Sequence, residues 1–473
     1  MRKCPACGAE NDVVASICDA CGAELPAPYE TEEASREPEE GYFVSSDEVD
    51  LGAASTPAMV DQSAETVLSA YGSASAIMAH FHPEQLTILS GATIYVNEEE
   101  ISPATVIAAE GRIADVLRGA VPDPQNGAAY FDLTGQTLTP GFIEIHFHGL
   151  MGIDTNQASA DDFLRMSAEA AKHGLTVMTP TTVACQAPEL SRILENLGKA
   201  RERGFPGANL LGLHLESNFI SMEKRGAQPP DAIFTPNDPK AVDILQIIDE
   251  YQQDIRIVTL APELPGALEL IEWLRERNIV ASLGHSSANY EQASAGFEAG
   301  ATHATHLFNA MPPLHHREPG LVGAALERDD VFTEMVCDGV HIHPAVISTI
   351  ITAKGAERFV PVSDSLEGAG LDEGGEFFLG GQHVTVQNGV ARLDSGTIAG
   401  SIVTMDGVVR VLVERVGWAL YEALQMCAAT PADALGLGVV GHLAPGAVAN
   451  LTVLDTSLRV RMTLVNGKVV YQA

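Results

Sequence analysis

From Phe142 to Val362 the chain alternates short apolar runs with stretches of helical period, and this alternation restricts the fold more than any other feature. The expected strands are Phe142 to Ile145, Thr176 to Thr179, Leu210 to Leu215, Ile255 to Leu260, Val280 to Leu283, Ala301 to Thr305, Phe332 to Cys337 and Phe359 to Val362. Helical segments such as Ala158 to His173 and Pro265 to Arg277 lie between most of them. Eight strands in this alternation predict an α/β fold of the (β/α)8, TIM-type class rather than an open sheet. In such a barrel the residues just past the strands build the rim where ligands bind.

The strand ends carry the chemistry. The fifth expected strand runs into Gly284-His285-Ser286 and the sixth ends in Thr305-His306. Two neighbouring strand ends can aim two imidazoles at one point, and neutral imidazole is the commonest metal ligand. A lone histidine in such a place is more often a satisfied core residue. A pair followed by Asn309, Arg317 and Glu318 is harder to explain by packing. Just past the first strand stand His146 and His148, which share a side because residues two apart in a strand do. The third strand ends in His214-Leu215-Glu216. His214 lies deeper and reads as packed, whereas Glu216 is a rim acid, either a ligand or salt-bridged. Asp364 follows the eighth strand. Together these are nitrogen and oxygen donors suited to zinc, iron or manganese.

The flanks read differently. Cys4-x2-Cys7 and Cys18-x2-Cys21 form two knuckles, each followed by a glycine. Four thiolates at that spacing can close tetrahedrally on a structural zinc. Two disulfides or a redox pair fit less well, because the motif is doubled and lacks a βαβ context. This stretch resembles the short zinc-ribbon modules at the ends of many prokaryotic proteins, and a unit so small would fold only on metal. An acidic linker poor in large apolar residues follows, with a possible amphipathic helix from Asp61 to Phe81. From Glu84, short β-rich pieces (Leu86 to Leu89, Thr93 to Val96, Thr105 to Ala109, Arg112 to Val116) predict a small antiparallel unit. Asn450 to Leu454 and Met462 to Val470, with an Asn466-Gly467 turn signal, predict its other half. An inserted hairpin is expected from Gly374 to Ser395 and helix from Val403 to Gly436. The expected domains are thus a ribbon (1–25), a linker (26–83), a split β unit (84–139 and 439–473) and the barrel (140–438).

A net charge of -36 argues against nucleic acid as a partner, since phosphate contacts need Lys and Arg. No stretch is long and apolar enough to span a membrane, and no secretory leader opens the chain. A cytoplasmic location is the expectation.

The chain from about Glu84 onward resembles the N-acetylglucosamine-6-phosphate deacetylases of the amidohydrolase superfamily. The resemblance is carried by PGFIEIHFHG, LGLHLES, KRGAQPP, VTLAPE, GHSSANYEQASAGFEAGATHATHLFNAM, REPGLVGA, DGVHIHP, SDSLEGAG and LAPGAVANLTVLD. It implies a metal-bearing barrel with a split β-sandwich, a homodimer, and hydrolysis of the acetamide of an amino-sugar phosphate. By the same resemblance Glu216, His285 and His306 match the principal metal ligands. His146 and His148 match a pair that varies within the family and allows a second ion, so one or two ions, most simply zinc, are implied. Asp364 matches the catalytic acid/base. Asn309, Ala310, Arg317 and His341 match positions that hold the sugar phosphate, Arg317 from across a two-fold dimer. Gln228 stands where some members place a histidine against the acetyl carbonyl; glutamine can donate a hydrogen bond but carries no charge. Ser217-Asn218 replaces a Gly-Pro common after the metal glutamate. These two departures bear on which sugar is used. An N-acetylgalactosamine-6-phosphate deacetylase is the alternative enzyme, and an inactive protein docking a partner through the ribbon is the alternative of another class.

Overall fold

The computed structural model describes residues 2–3, 10–11 and 74–473, apart from positions 97, 372–373, 380–381, 388–389, 395 and 397. The four N-terminal cysteines, the linker and the first part of the Asp61 to Phe81 helix lie outside the described residues; helix is present over Ala74–His80. The chain divides into two units, Met1–Phe43 and Val44–Ala473. In the first, Arg2–Lys3 pairs antiparallel with Glu10–Asn11.

The second unit is built on a nine-stranded parallel sheet. Its barrel strands are β1 (Phe142–Phe147), β2 (Leu175–Thr182), β3 (Leu213–Glu216), β4 (Ile255–Leu260), β5 (Val280–Leu283), β6 (His303–Ala304), β7 (Phe332–Val336) and β8 (Phe359–Val362). The ninth, Asn209–Leu210, is a separate piece. Leu210 to Leu215 was therefore too long a single strand; Gly212, at φ +158°, lies close against the Asp254 carbonyl and interrupts it. The sixth strand is shorter than Ala301 to Thr305, because the chain turns into the rim directly after Ala304.

The ladder path ends at β8, and side chain and loop atoms bring it back to β1. Asp364 N–H donates to the His146 carbonyl at 3.0 Å, and the buried Glu144 carboxylate accepts from His146 N–H and Ser363 N–H, each at 3.1 Å. Amphipathic helices cover the outside. The helix Ala160–Ala171 shows the rule: Ser159 and Asp162 form a reciprocal cap at its start, and Phe163, Met166, Ser167, Ala170 and Ala171 make its buried face. Burying side chains such as Phe163 and Met166 contributes about 1.5–3 kcal/mol each.

Strands from both ends of the sequence share one further sheet, in the order Lys468–Gln472, Val460–Val465, Leu451–Leu454, Thr137–Pro140, Leu86–Val96, Glu99–Ala109, Arg112–Arg118, with Ala129–Asp132 beside Leu86–Val96. Leu86 to Val96 is one strand bent by a register shift around Gly91, not two. Asn466 and Gly467 both have positive φ, 49° and 71°, as the tight turn joining the last two strands requires. Thr137–Pro140 pairs with Leu451–Leu454 and leads straight into β1, so this sheet anchors the barrel entrance strand. The expected hairpin after β8 is a four-stranded antiparallel sheet, Glu376–Leu379 to Ile398–Gly400. The helical stretch from Val403 breaks into Met405–Arg410, a π turn at Val411–Val416, Leu420–Cys427 and Ala429–Ala434.

Candidate active site

A polar belt crosses the barrel interior beneath the rim. Thr181 Oγ1 accepts from Phe147 N–H at 3.0 Å. His214 Nδ1 donates to the Ile145 carbonyl at 3.0 Å, leaving Nε2 to accept from Thr259 Oγ1 at 2.8 Å. Thr259 and Ser282 in turn meet Thr305 Oγ1 at 2.8 and 2.6 Å. Burial, with the neighbouring His146, drives the His214 pKa well down. His214 is thus a neutral packed residue, as its depth in the third strand suggested.

Above the belt, six side chains converge. His285 Nε2 and His306 Nε2 each lie 2.9 Å from Glu216 Oε1. His146 Nε2 is 3.6 Å from the same oxygen, and His148 Nε2 is 3.5 Å from Glu216 Oε2. Asp364 Oδ1 closes the group at 3.4 Å from His148 Nε2 and 3.6 Å from His146 Nε2. The backbone pays for this convergence: His285, His306 and Asp364 each stand two residues past a strand with φ of +45°, +28° and +47°. Non-glycine residues hold such conformations where the surroundings dictate them, at about 1–3 kcal/mol each. Glycine at 284 serves the same geometry, since a Cβ there would meet Thr305 Cβ at 2.6 Å.

The electrostatics call for positive charge. Burial works against a charged His146, yet Asp364, Glu334 and Glu216 carry its pKa up to about 10. His285 is likewise raised against its burial, by Glu216. Burial would raise Asp364, but His146 and His148 hold it at about 2. His146 Nε2 is fully buried and has no hydrogen-bond partner among the described residues. Three overlapping triads, His146–His148–Glu216, Glu216–His285–His306 and His146–His306–Asp364, have ligand atoms within 4.8 Å of one another. Close-set imidazole nitrogens and carboxylates facing one point fit a divalent cation with nitrogen and oxygen ligands.

The other predicted residues are placed as follows. Gln228 is committed at both ends: its Oε1 accepts from Ala184 N–H at 2.8 Å and its Nε2 donates to Glu216 Oε2. Asn218 bonds the Cys185 and Ala232 carbonyls at 2.7 Å each, a structural role. Asn309 and Ala310 lie on the turn that follows His306, where the Ala310 carbonyl accepts from Ser286 N–H and so ties the two histidine loops together. His341 is exposed, with Nδ1 2.6 Å from Asp338 Oδ2, and this bond raises its pKa. Arg317 is exposed and makes no ion pair among the described residues, with Glu318 or otherwise; its guanidinium lies 2.9 Å from His316 Nε2.

Several supporting acids escaped the sequence reading. Glu334 meets His146 Nδ1 at 3.0 Å, Asp338 holds His341, and Glu263 accepts from Ser286 Oγ and Ser287 N–H at 2.7 and 2.6 Å just after His285. A carboxylate inside an apolar strand, as in Phe332-Thr-Glu-Met-Val336, was the one available signal for Glu334.

Barrel and site together define a metal-dependent hydrolase of the amidohydrolase type. The sequence profile of the amidohydrolase family matches residues 137–470. The chain is 35% identical over 359 residues to the N-acetylgalactosamine-6-phosphate deacetylase of Escherichia coli O157:H7, covering 76% of this chain and 93% of that one. It is 34% identical over 392 residues to the N-acetylglucosamine-6-phosphate deacetylase of Bacillus subtilis (strain 168), covering 81% and 97%. A solved variant of the Mycobacterium smegmatis N-acetyl-D-glucosamine-6-phosphate deacetylase, in complex with N-acetyl-D-glucosamine-6-phosphate, superposes with a TM-score of 0.74 at 34% identity, covering 82% of this chain and all of that one. The chain belongs to the N-acetylglucosamine-6-phosphate deacetylase family of amidohydrolases.

Proposed function

We propose that this enzyme hydrolyses the acetamide of N-acetylglucosamine-6-phosphate, giving glucosamine-6-phosphate and acetate in amino-sugar catabolism. The observation that carries the reading is the convergence of His146, His148, Glu216, His285 and His306 with Asp364 on one point of the rim.

In this reading Glu216, His285 and His306 hold one divalent ion, and His146 and His148 allow a second; zinc suits the donors, as do iron and manganese. When bound, such an ion supplies Lewis acidity to water and to the amide carbonyl. The chain's own groups do the rest. Asp364, ionised at neutral pH, takes the proton of the attacking water and returns it to the departing amine. Gln228 holds Glu216 in place through the amide fixed by Ala184, which leaves it less free to face the acetyl carbonyl. His341, its pKa raised by the hydrogen bond to Asp338, together with Asn309, the Ala310 backbone and Arg317, binds the sugar phosphate. Arg317 serves the neighbouring subunit of a homodimer; the exposure of Arg317 and of the adjoining Leu314, 49% exposed, supports this.

The flanking sheet, with strands from both ends, is read as the split β-sandwich and the remainder as the barrel domain. Cys4, Cys7, Cys18 and Cys21 are read as a structural zinc ribbon that can dock a protein partner, on the strength of their spacing. No helix among the described residues is long and apolar enough to cross a membrane; a cytoplasmic enzyme is the proposal.

The similarity to an N-acetylgalactosamine-6-phosphate deacetylase supports the epimer as a second substrate reading. Acetate release measured on both 6-phosphates and on unphosphorylated N-acetylglucosamine, alongside metal analysis, decides between them. Preference for the glucosamine epimer is expected. Absence of acetate release from every compound would overturn the reading.

A further inference from the structure

Of the four imidazoles that converge on Glu216, His146 alone has, among the described residues, a carboxylate hydrogen-bonded to its far nitrogen. Its Nδ1 lies 3.0 Å from Oε2 of Glu334, in the middle of β7, and both side chains are fully buried. The corresponding nitrogen of His285 is held by a neutral group, the Lys224 carbonyl at 2.7 Å. Those of His148 and His306 have no hydrogen-bond partner among the described residues. Among the described residues the Glu334 carboxylate has no other hydrogen-bond partner, since its Oε1 is also unpaired. A buried carboxylate so sparsely partnered is unfavourable unless positive charge lies close by. The His146 ring offers the route: with Nδ1–H directed at Glu334, Nε2 carries the lone pair and faces Glu216 and Asp364, 3.6 Å from each. The same strand is tied to the next rim loop, because the Glu334 carbonyl accepts from Leu307 N–H at 2.8 Å, one residue past His306.

We propose that Glu334 is a positioning residue for a cation held by His146 and His148: it fixes the tautomer and plane of His146 and sets the affinity of that position. The proposal rests on the metal reading of the site. A carboxylate hydrogen-bonded behind a ligating imidazole orients the ring and strengthens it as a donor, and loss of such a partner typically weakens metal binding about 10- to 100-fold.

The test uses the full chain, stripped with a chelator and titrated with Zn2+ against a chromogenic competitor, and with Co2+ followed by its electronic absorption. Glu334→Gln keeps the shape and removes the charge. It should weaken the position that His146→Ala abolishes by about 10- to 100-fold and leave the position lost in His285→Ala unchanged. The Co2+ band that changes in His146→Ala should change in Glu334→Gln too. The double variant should bind no more weakly than His146→Ala alone, an outcome that a general packing defect would not produce. If Glu334→Gln does not fold, Glu334→Asp retains the charge one methylene further back and should give an affinity between the two. Wild-type affinity and spectrum in the Glu334 variant, additive losses in the double variant, or a His146→Ala chain that binds as the wild type does would each overturn the proposal. A wild-type chain that binds no divalent cation would instead bring down the metal reading beneath it, and the proposal with it.

Discussion

The Nε2 atoms of His285 and His306 lie 3.0 Å apart, and both point at the same oxygen of Glu216. The two residues are carried by adjacent parallel strands, β5 and β6, and each is offset by two residues from its strand end. Two imidazole nitrogens at this separation share a carboxylate and, in the proposed reading, a cation. His285→Ala or His306→Ala should therefore lose the tightly bound metal and lower acetate release more than about 100-fold, beyond what loss of an outer-shell partner costs. Metal content of the purified variants is the check; an unchanged content would remove both from the ligand set.

Asp364→Asn should lower turnover by about 10²–10⁴-fold while the metal stays bound, because the amide keeps the shape but cannot carry the proton. Steady-state kinetics beside metal analysis reads both quantities. Near-normal turnover would assign the acid/base role elsewhere.

Gly284→Ala places a methyl group 2.6 Å from the Thr305 side chain, between the two histidine-bearing strands. Overpacking of this kind costs about 1–3 kcal/mol. A lower melting temperature and reduced metal retention are expected together. A variant with wild-type stability would show that β5 and β6 can part without cost.

Asp406 gives a stability prediction away from the rim. Burial would raise its pKa, but His173, 3.1 Å from one oxygen, with Arg410 and Thr404, carries it far below the ordinary value. A group depressed in the folded state stabilises fully above its unfolded pKa of about 4, and that contribution is lost as the pH falls below this value. Asp406→Asn should be less stable than the wild type near pH 7, and the gap should narrow from about pH 4 downward. Urea unfolding of both proteins across pH 3 to 7 measures it; a gap independent of pH would refute the assignment.

Arg317→Ala should raise KM for the 6-phosphate ester by about tenfold or more, in line with a charge-assisted bond of 1.5–3 kcal/mol, and spare unphosphorylated N-acetylglucosamine. Refolding it together with Asp364→Asn should restore activity beyond either variant alone if the arginine serves the neighbouring subunit. Verified mixed dimers without recovery would confine it to its own chain.

Strand and helix periods are local properties of a sequence, and so the barrel was legible in it: β4, β5 and β8 run as the apolar pattern predicts. That His285, His306 and Asp364 fall beyond the ends of their strands, and that His146 and His148 share a side, could be read for the same reason. So could the tight turn at Asn466-Gly467, whose residue types tolerate positive φ. What the sequence could not determine is which distant groups meet. His146 and Glu334 are 188 residues apart, and nothing in the Phe332–Val336 run says that its acid turns toward β1. Gln228 reads as a donor facing substrate until the fold places the Ala184 amide on one end of it and Glu216 on the other. Thr137–Pro140 finds Leu451–Leu454 as its neighbour only because the barrel between them returns the chain to the edge where it began. A side chain's choice of partner depends on where the other strands stand in space, and only the tertiary structure decides that.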